Sequence, residues 1–257
     1  MFEQTIKPLS YIKSLFIIGL LVCICSCSTT KTYTVNGVSF DMVKVKGGSF
    51  DMGAADNQSS ESHDVDYPVH NVTLDGFQIG KTEVTQKLWT AVMGYNPSTF
   101  IDDDKPVENV SWTDCIIFIQ KLNDITNCNF RLPTEAEWEF AARGGRKSKH
   151  YKYAGSDDLN EVAWNINNSN KTSHKVATKS PNELGIYDMS GNVWEWCDDW
   201  FYEFDKKATR NPVGRIPSQY KIDRGGGWNR LPRCITSYRG RDVIDYRDSN
   251  LGFRLAR

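Results

Sequence analysis

Apolar and polar positions alternate at short range along much of this chain, and three stretches hold the wider spacing of an amphipathic helix. Residues 38–52, VSFDMVKVKGGSFDM, alternate around Gly47–Gly48 and predict a hairpin with a glycine turn. Residues 69–80, VHNVTLDGFQIG, predict a second strand pair broken at Asp75–Gly76. Thr85 opens the first helix, with Leu88, Trp89, Val92 and Met93 on one face and Gly94 as its stop. Ser111 opens the second, where Ser111 and Asp114 form a capping box ahead of the apolar run 115–119 and Leu122. The strongest helix lies in RLPTEAEWEFAARGG, residues 131–145: Thr134 and Glu137 make its capping box, Trp138 and Ala142 share a face, and Gly144 ends it. Residues 54–67, 95–107 and 154–179 read as loops, the last pinned to the core by Trp164. Residues 220–228, YKIDRGGGW, read as a core strand with a glycine bulge, and 251–256, LGFRLA, as a closing strand.

The N-terminus breaks with this pattern. Lys7 and Lys13 precede the apolar run LFIIGLLV, which is short for a membrane span, so residues 1–26 read as a secretory signal. In the following VCICSCSTT, Cys27 has Ser26 before it and Ile24 at the third position back, which resembles a bacterial lipobox. Cys23 follows Val22 and Cys25 follows Ile24, and both fit poorly. Cys27 is the expected lipidation site, with ordinary signal cleavage as the alternative. Acylation there would tether the chain to a membrane, and Ser28 favours the outer membrane of the envelope over the inner. Residues 27–37 read as a polar tether, and 38–257 as one domain.

Composition narrows the class. A formal charge of −1 leaves no basic surplus for nucleic acid. Apolar content of 39% and charged content of 25% are those of an ordinary globular chain. An aromatic share of 12%, with every tryptophan between Trp89 and Trp228, and little long helix point to a compact, loop-rich α+β fold.

Its densest stretch is NELGIYDMSGNVWEWCDDW, residues 182–200. Gly191 and Asn192 tolerate left-handed backbone. Glu195 stands between Trp194 and Trp196 and needs a metal ion, an arginine or backbone donors, because a bare buried charge is costly.

Seven stretches, in order, carry a resemblance: GGSFDMG, KTEVTQKLWTAVMGYNPS, PVENVSWTDC, FRLPTEAEWEFAARGG, NELGIYDMSGNVWEW, RGGGW and NLGFRLA. Together they resemble the formylglycine-generating enzyme family, the sulfatase-modifying factor domain, over almost the whole mature chain. The resemblance implies a fold similar to C-type lectins, with low regular secondary structure and structural calcium. It also implies oxidation of a sulfatase cysteine at a copper ion held by a C-x4-C pair. With the family's arginine placed on Arg239, that pair falls on Leu231 and Thr236, with Cys234 between them and Asn229 and Arg239 five residues to either side. Copper(I) needs thiolates, so copper is not expected here. Nor do His63, His70, His150 and His174 show the ligand spacing of the family's iron-binding members.

Calcium is the expected metal. The resemblance assigns it to Gly191, Val193 and Glu195, with Asn192 assisting; an arginine such as Arg224 paired with Glu195 is the alternative. It further implies that the 229–250 face forms a cleft for an extended peptide. Trp228, Arg233, Arg239 and Arg241 are its candidate residues, the alternative being that the arginines pair with Asp242, Asp245 and Asp248. Cys197 and Cys234 are candidate disulfide partners, or else two buried thiols. The expected function is a lipid-anchored, calcium-stabilised domain that binds a protein or peptide partner or serves as an envelope component. An oxidase acting on a sulfatase cysteine is the alternative, and a lectin-like role the third reading.

Overall fold

The computed structural model describes Met1 and residues 29–54, 58, 66–204, 207, 209–231 and 233–257. The signal at 1–26 and the lipidation site Cys27 therefore lie, Met1 aside, outside the described residues.

Order begins earlier than the tether reading allows. Strand β1 (Thr30–Val35) pairs antiparallel with β2 (Val38–Val45), closing at Val35 and Val38. Asn36 and Gly37 make the turn with φ of 47° and 81°, the conformation that an Asn-Gly pair accepts in a two-residue hairpin. Tyr33 on β1 lies 5.0 Å from Phe130, so this polar-looking strand contributes a packed face.

Both predicted hairpins are split between sheets. β2 continues to β5 (Phe77–Gly80), whereas β3 (Gly48–Met52) pairs with β4 (His70–Leu74), and β7 (Thr209–Arg210) runs parallel to β4. The chain changes sheet at Gly47, where a Cβ would stand 2.4 Å from the Leu74 carbonyl oxygen. Only a residue without a side chain lets the two crossings touch.

The helix signals are local, and they hold. Thr85 caps α1 (Gln86–Met93), which ends at left-handed Gly94. Ser111 and Asp114 form the capping box of α2 (Trp112–Thr126), and Thr134 and Glu137 that of α3 (Glu135–Ala142). A short α4 (Leu159–Val162) interrupts the long loop. Val162 and Ala163 are the buried anchors there; Trp164 is partly exposed and stacks on His174 at 3.7 Å.

A four-stranded sheet in the order β10-β6-β8-β9 forms the centre: β10 (Leu251–Gly252), β6 (Trp194–Trp200), β8 (Lys221–Arg224) and β9 (Arg239–Asp242). Residues of β6 feed two apolar clusters. Trp196 joins Trp89, Phe118 and Phe253 beside α1 and α2, whereas Cys197 joins Trp138, Phe140, Val72 and Ile222 beside α3. Loop-rich sheets with few helices make this the mixed α+β fold that the composition indicates.

Candidate functional site

The site stands on α3. All eight residues of that helix are buried, including Glu135, Glu137 and Glu139. Three carboxylates on one buried helix need cations at hydrogen-bond distance, and the neighbouring segments supply them. Arg224 on β8 bonds Glu139 and lies 3.3 Å from Glu135, while its guanidinium also donates to the carbonyls of Thr236 and Tyr238. Arg239 on β9 grips Glu135 at 2.6 and 2.8 Å, and Arg131 holds Glu137 at 2.6 and 2.7 Å. Arg143 bonds Glu139 at 2.8 Å. Burial pushes Glu139 up, but the guanidiniums of Arg143 and Arg224 outweigh it and hold the carboxyl below its usual range.

Glu195 follows the same rule. Arg254 donates to both of its oxygens at 2.5 Å, and the Trp138 indole N–H adds a third bond at 2.7 Å. Arg254 spends its other donors on the carbonyls of Gly80 and Tyr187, each at 3.0 Å. An arginine is therefore the neutraliser, but it is Arg254 and not Arg224. Asn192 is committed too: Oδ1 accepts from the His174 amide at 2.9 Å, and Nδ2 donates to Glu83 at 3.0 Å.

These engagements do not fit a calcium ion on Gly191, Asn192, Val193 and Glu195. The one carboxylate of that set already holds a cation, and calcium takes six to eight oxygens with carboxylates among them. No group of three His, Cys, Asp or Glu is arranged for a metal among the described residues. Nearby, Glu83 Oε2 and Asp188 Oδ1 are buried with no hydrogen-bond partner among the described residues. Burial and the Asp188 charge raise Glu83 well above the carboxylate range, and burial raises Asp188 to about 6. Chelation with EGTA is expected to leave the melting temperature unchanged, and calcium at millimolar concentration to add less than about 2 °C by differential scanning fluorimetry.

Above this ionic base lies a cleft of about 460 Å³ between β8, β9 and the 229–250 segment. Arg230, Arg233, Arg239 and Arg241 line it, as the arginine-rich sequence suggests. Their states differ. Arg239 is 3% exposed, fixed on Glu135 and stacked 3.8 Å over Phe204, so it builds the wall and does not reach for a ligand. Arg241 is exposed and lies 4.2 Å over Phe201; Arg233 is exposed and lies 5.5 Å from the Tyr238 ring. Trp228 does not line the cleft. Its indole donates to the Ser249 carbonyl at 3.0 Å and its ring meets Phe100 edge-on. Arg247 pairs with Asp114 instead of a loop aspartate. Sequence reasoning missed Trp194 and Asp223 in the lining, and named Asp242 only as a partner for the arginines. The signal for Asp223 was its place in the strand KIDR, one residue before the arginine that anchors α3.

No bond joins Cys197 and Cys234. They belong to different apolar clusters, and each thiol points at a local carbonyl, of Glu195 and of Arg230, at 3.9 Å. Burial raises the Cys197 thiol well above its ordinary value, which keeps it protonated and inert. Of the two positions that the family's copper pair would take, Leu231 is exposed, and Thr236 is buried with its hydroxyl accepting from Gln58 at 2.7 Å. Neither side chain is a copper ligand.

Comparison with known proteins agrees with this architecture. Residues 29–257 match the family described as the sulfatase-modifying factor enzyme 1-like domain. The chain is similar to the chaperone protein LppX of Paenibacillus barcinonensis, 34% identical over 283 residues that cover 90% of this chain and 93% of that one. It is also similar to the formylglycine-generating enzyme of Streptomyces coelicolor, 34% identical over 175 residues, 59% of this chain and 52% of the enzyme. Among solved structures, Treponema denticola variable protein 1 matches with a TM-score of 0.81 at 33% identity, covering 89% of this chain and 99% of that one.

Proposed function

The chain belongs to the sulfatase-modifying factor enzyme 1-like family, and from that premise we propose that it is a lipid-anchored envelope protein whose cleft binds a segment of another polypeptide without oxidising it. The observation that carries this reading is the cleft itself. It is open and lined by aromatic and arginine side chains, the residue types that dominate binding hot spots. The buried pairs of Arg224 and Arg239 with α3 hold its walls, so little ordering cost falls on binding. Leu231 and Thr236, where the resemblance puts the copper thiolates, favour binding over oxidation. The similar Paenibacillus protein is called a chaperone, a name that fits polypeptide ligands. Cys27, followed by Ser28, supports an outer-membrane anchor.

Peptide display against the full chain tests the reading. Binders are expected, and an Arg233→Ala/Arg241→Ala variant is expected to weaken them at least tenfold with an unchanged urea midpoint. The oxidase alternative is tested by incubating the chain with copper, oxygen, a thiol reductant and a Cys-x-Pro-x-Arg peptide. Mass spectrometry should return the peptide unchanged; an aldehyde product would overturn the binding-only reading. Metabolic labelling with an alkyne fatty acid should mark the chain, and Cys27→Ser should abolish the label.

A further inference from the structure

The arginines draw attention to an anionic ligand, but the unmet hydrogen-bonding demand in the cleft is of the opposite sign. Asp223 lies on β8 directly across from Gly240 on β9. A Cβ at position 240 would fall 1.9 Å from Asp223 Oδ1, so the glycine leaves the space that this carboxyl occupies. Asp223 is 3% exposed, it lines the cleft, and its Oδ2 has no hydrogen-bond partner among the described residues. Arg224, next along the strand, is spent on Glu139 and on two carbonyls, and Arg233 on the rim acts on Asp223 only through space. Arg239 is spent on Glu135. Asp242 and Asp248 line the same cleft; Asp248 accepts from the Tyr246 and Ser249 hydroxyls at 3.1 and 3.2 Å.

We propose that the floor of this cleft receives the guanidinium or ammonium group of a basic side chain, held by Asp223 with Asp242 and Asp248 beside it. The proposal rests on the peptide-binding reading and specifies what kind of peptide enters. Trp194 and Tyr238 supply the walls, with ring centroids 5.7 Å apart and planes inclined by 57°. The negative faces of such rings attract a cation and reject a carboxylate. Arg230, Arg233 and Arg241 then form a rim that suits acidic or backbone-carbonyl groups flanking the inserted residue. Burial, reinforced by the Asp242 charge, raises Asp223 well above the carboxylate range, and burial with the Asp248 charge raises Asp242. An entering cation would offset both causes, since an opposite charge nearby favours the ionised carboxylate.

The test is isothermal titration of the full chain in detergent with three probes: Nα-acetyl-arginine amide, its norleucine counterpart and its glutamate counterpart. The arginine probe is expected to bind at least tenfold more tightly than either of the others. Asp223→Asn, which keeps the shape and removes the charge, is expected to weaken it about 10- to 100-fold. Asp242→Asn, at a half-exposed position, is expected to weaken it severalfold, and it carries the test if the first variant fails to fold. A preference for the glutamate probe, an unchanged affinity in both variants, or no binding by the arginine probe overturns the proposal. Displayed peptides separate this from the broader reading. Binders with no fixed lysine or arginine sink the basic-residue inference and leave peptide binding standing. Binding of the arginine probe with no displayed binder does the reverse.

Discussion

Arg254→Met is expected to unfold this protein or to lower its stability in urea by about 3–5 kcal/mol. Glu195 and Arg254 are both completely buried, and two of the three hydrogen-bond donors to Glu195 come from that guanidinium. Without it, Glu195 keeps only the Trp138 indole, and Glu83 and Asp188 lose the positive charge that restrains them. The carbonyls of Gly80 and Tyr187 lose their donors as well. Arg247→Met is the matched control. Arg247 pairs with Asp114 at 2.8 Å, but its side chain is 44% exposed, so its loss should cost less than about 1 kcal/mol. Pairing Arg254→Met with Glu195→Gln should recover part of the loss, because no charge is then left bare. Equal urea midpoints for the two single variants would sink the idea that the buried pair locks the fold.

The second large effect is an inverted pH response. Asp199 accepts from the amides of Glu135 at 2.8 Å and Gly214 at 2.6 Å, yet burial and the charge of Glu135 raise it to about 7. Asp188 is raised to about 6, chiefly by burial. An unfolded aspartate titrates near about 3.9. Between that value and about 7 the native chain holds protons that the unfolded chain has released, so the free energy of unfolding falls as pH rises through this window. This contribution is full at low pH and is lost above the folded values. His174 opposes it, because burial lowers its ring and favours the folded state at higher pH, but it is one part-buried group against several carboxyls. From pH 5 to pH 7.5 the free energy of unfolding in urea should drop by about 2 kcal/mol or more. Asp188→Asn keeps an acceptor for the Ala177 amide and gains a donor toward Glu83, so it should flatten the curve below pH 6 and raise stability at pH 7.5. Stability that climbs over this interval would rule the account out.

What the sequence shows and hides follows from range. Thr85, Ser111 and Thr134 cap their helices through bonds to residues three positions on, so the signal and its partner share one window. Strand partnership has no such window. Gly47 and the Asp75–Gly76 step look like hairpin turns, and only the close approach of the two crossings reveals that each sends the chain to a different sheet. Asn36–Gly37 was a local signal, but polar flanks hid it behind a tether reading. For Glu195 the need for a neutraliser was visible in VWEW, whereas its identity was not, since Arg254 sits in NLGFRLA far along the chain. In the cleft the arginines were conspicuous by composition. Asp223 was not, because KIDR reads as plain core strand until Gly240 is seen opposite it.

The position of Arg254 also has a meaning in time. It stands 59 residues after the carboxylate that it neutralises. Phe253, between Trp89 and Phe118, and Ala256, bridged to Ile79 and Arg131, belong to the same late segment. At roughly 5–20 residues per second, a ribosome takes about 3–12 s to travel from Glu195 to Arg254. Throughout that interval Glu195 has been made and its guanidinium partner has not, while β8, β9 and β10 are still being added. The order of synthesis therefore acts as a clock for this one lock: the Glu195–Arg254 pair can close only after the segment that carries Arg254 has been made.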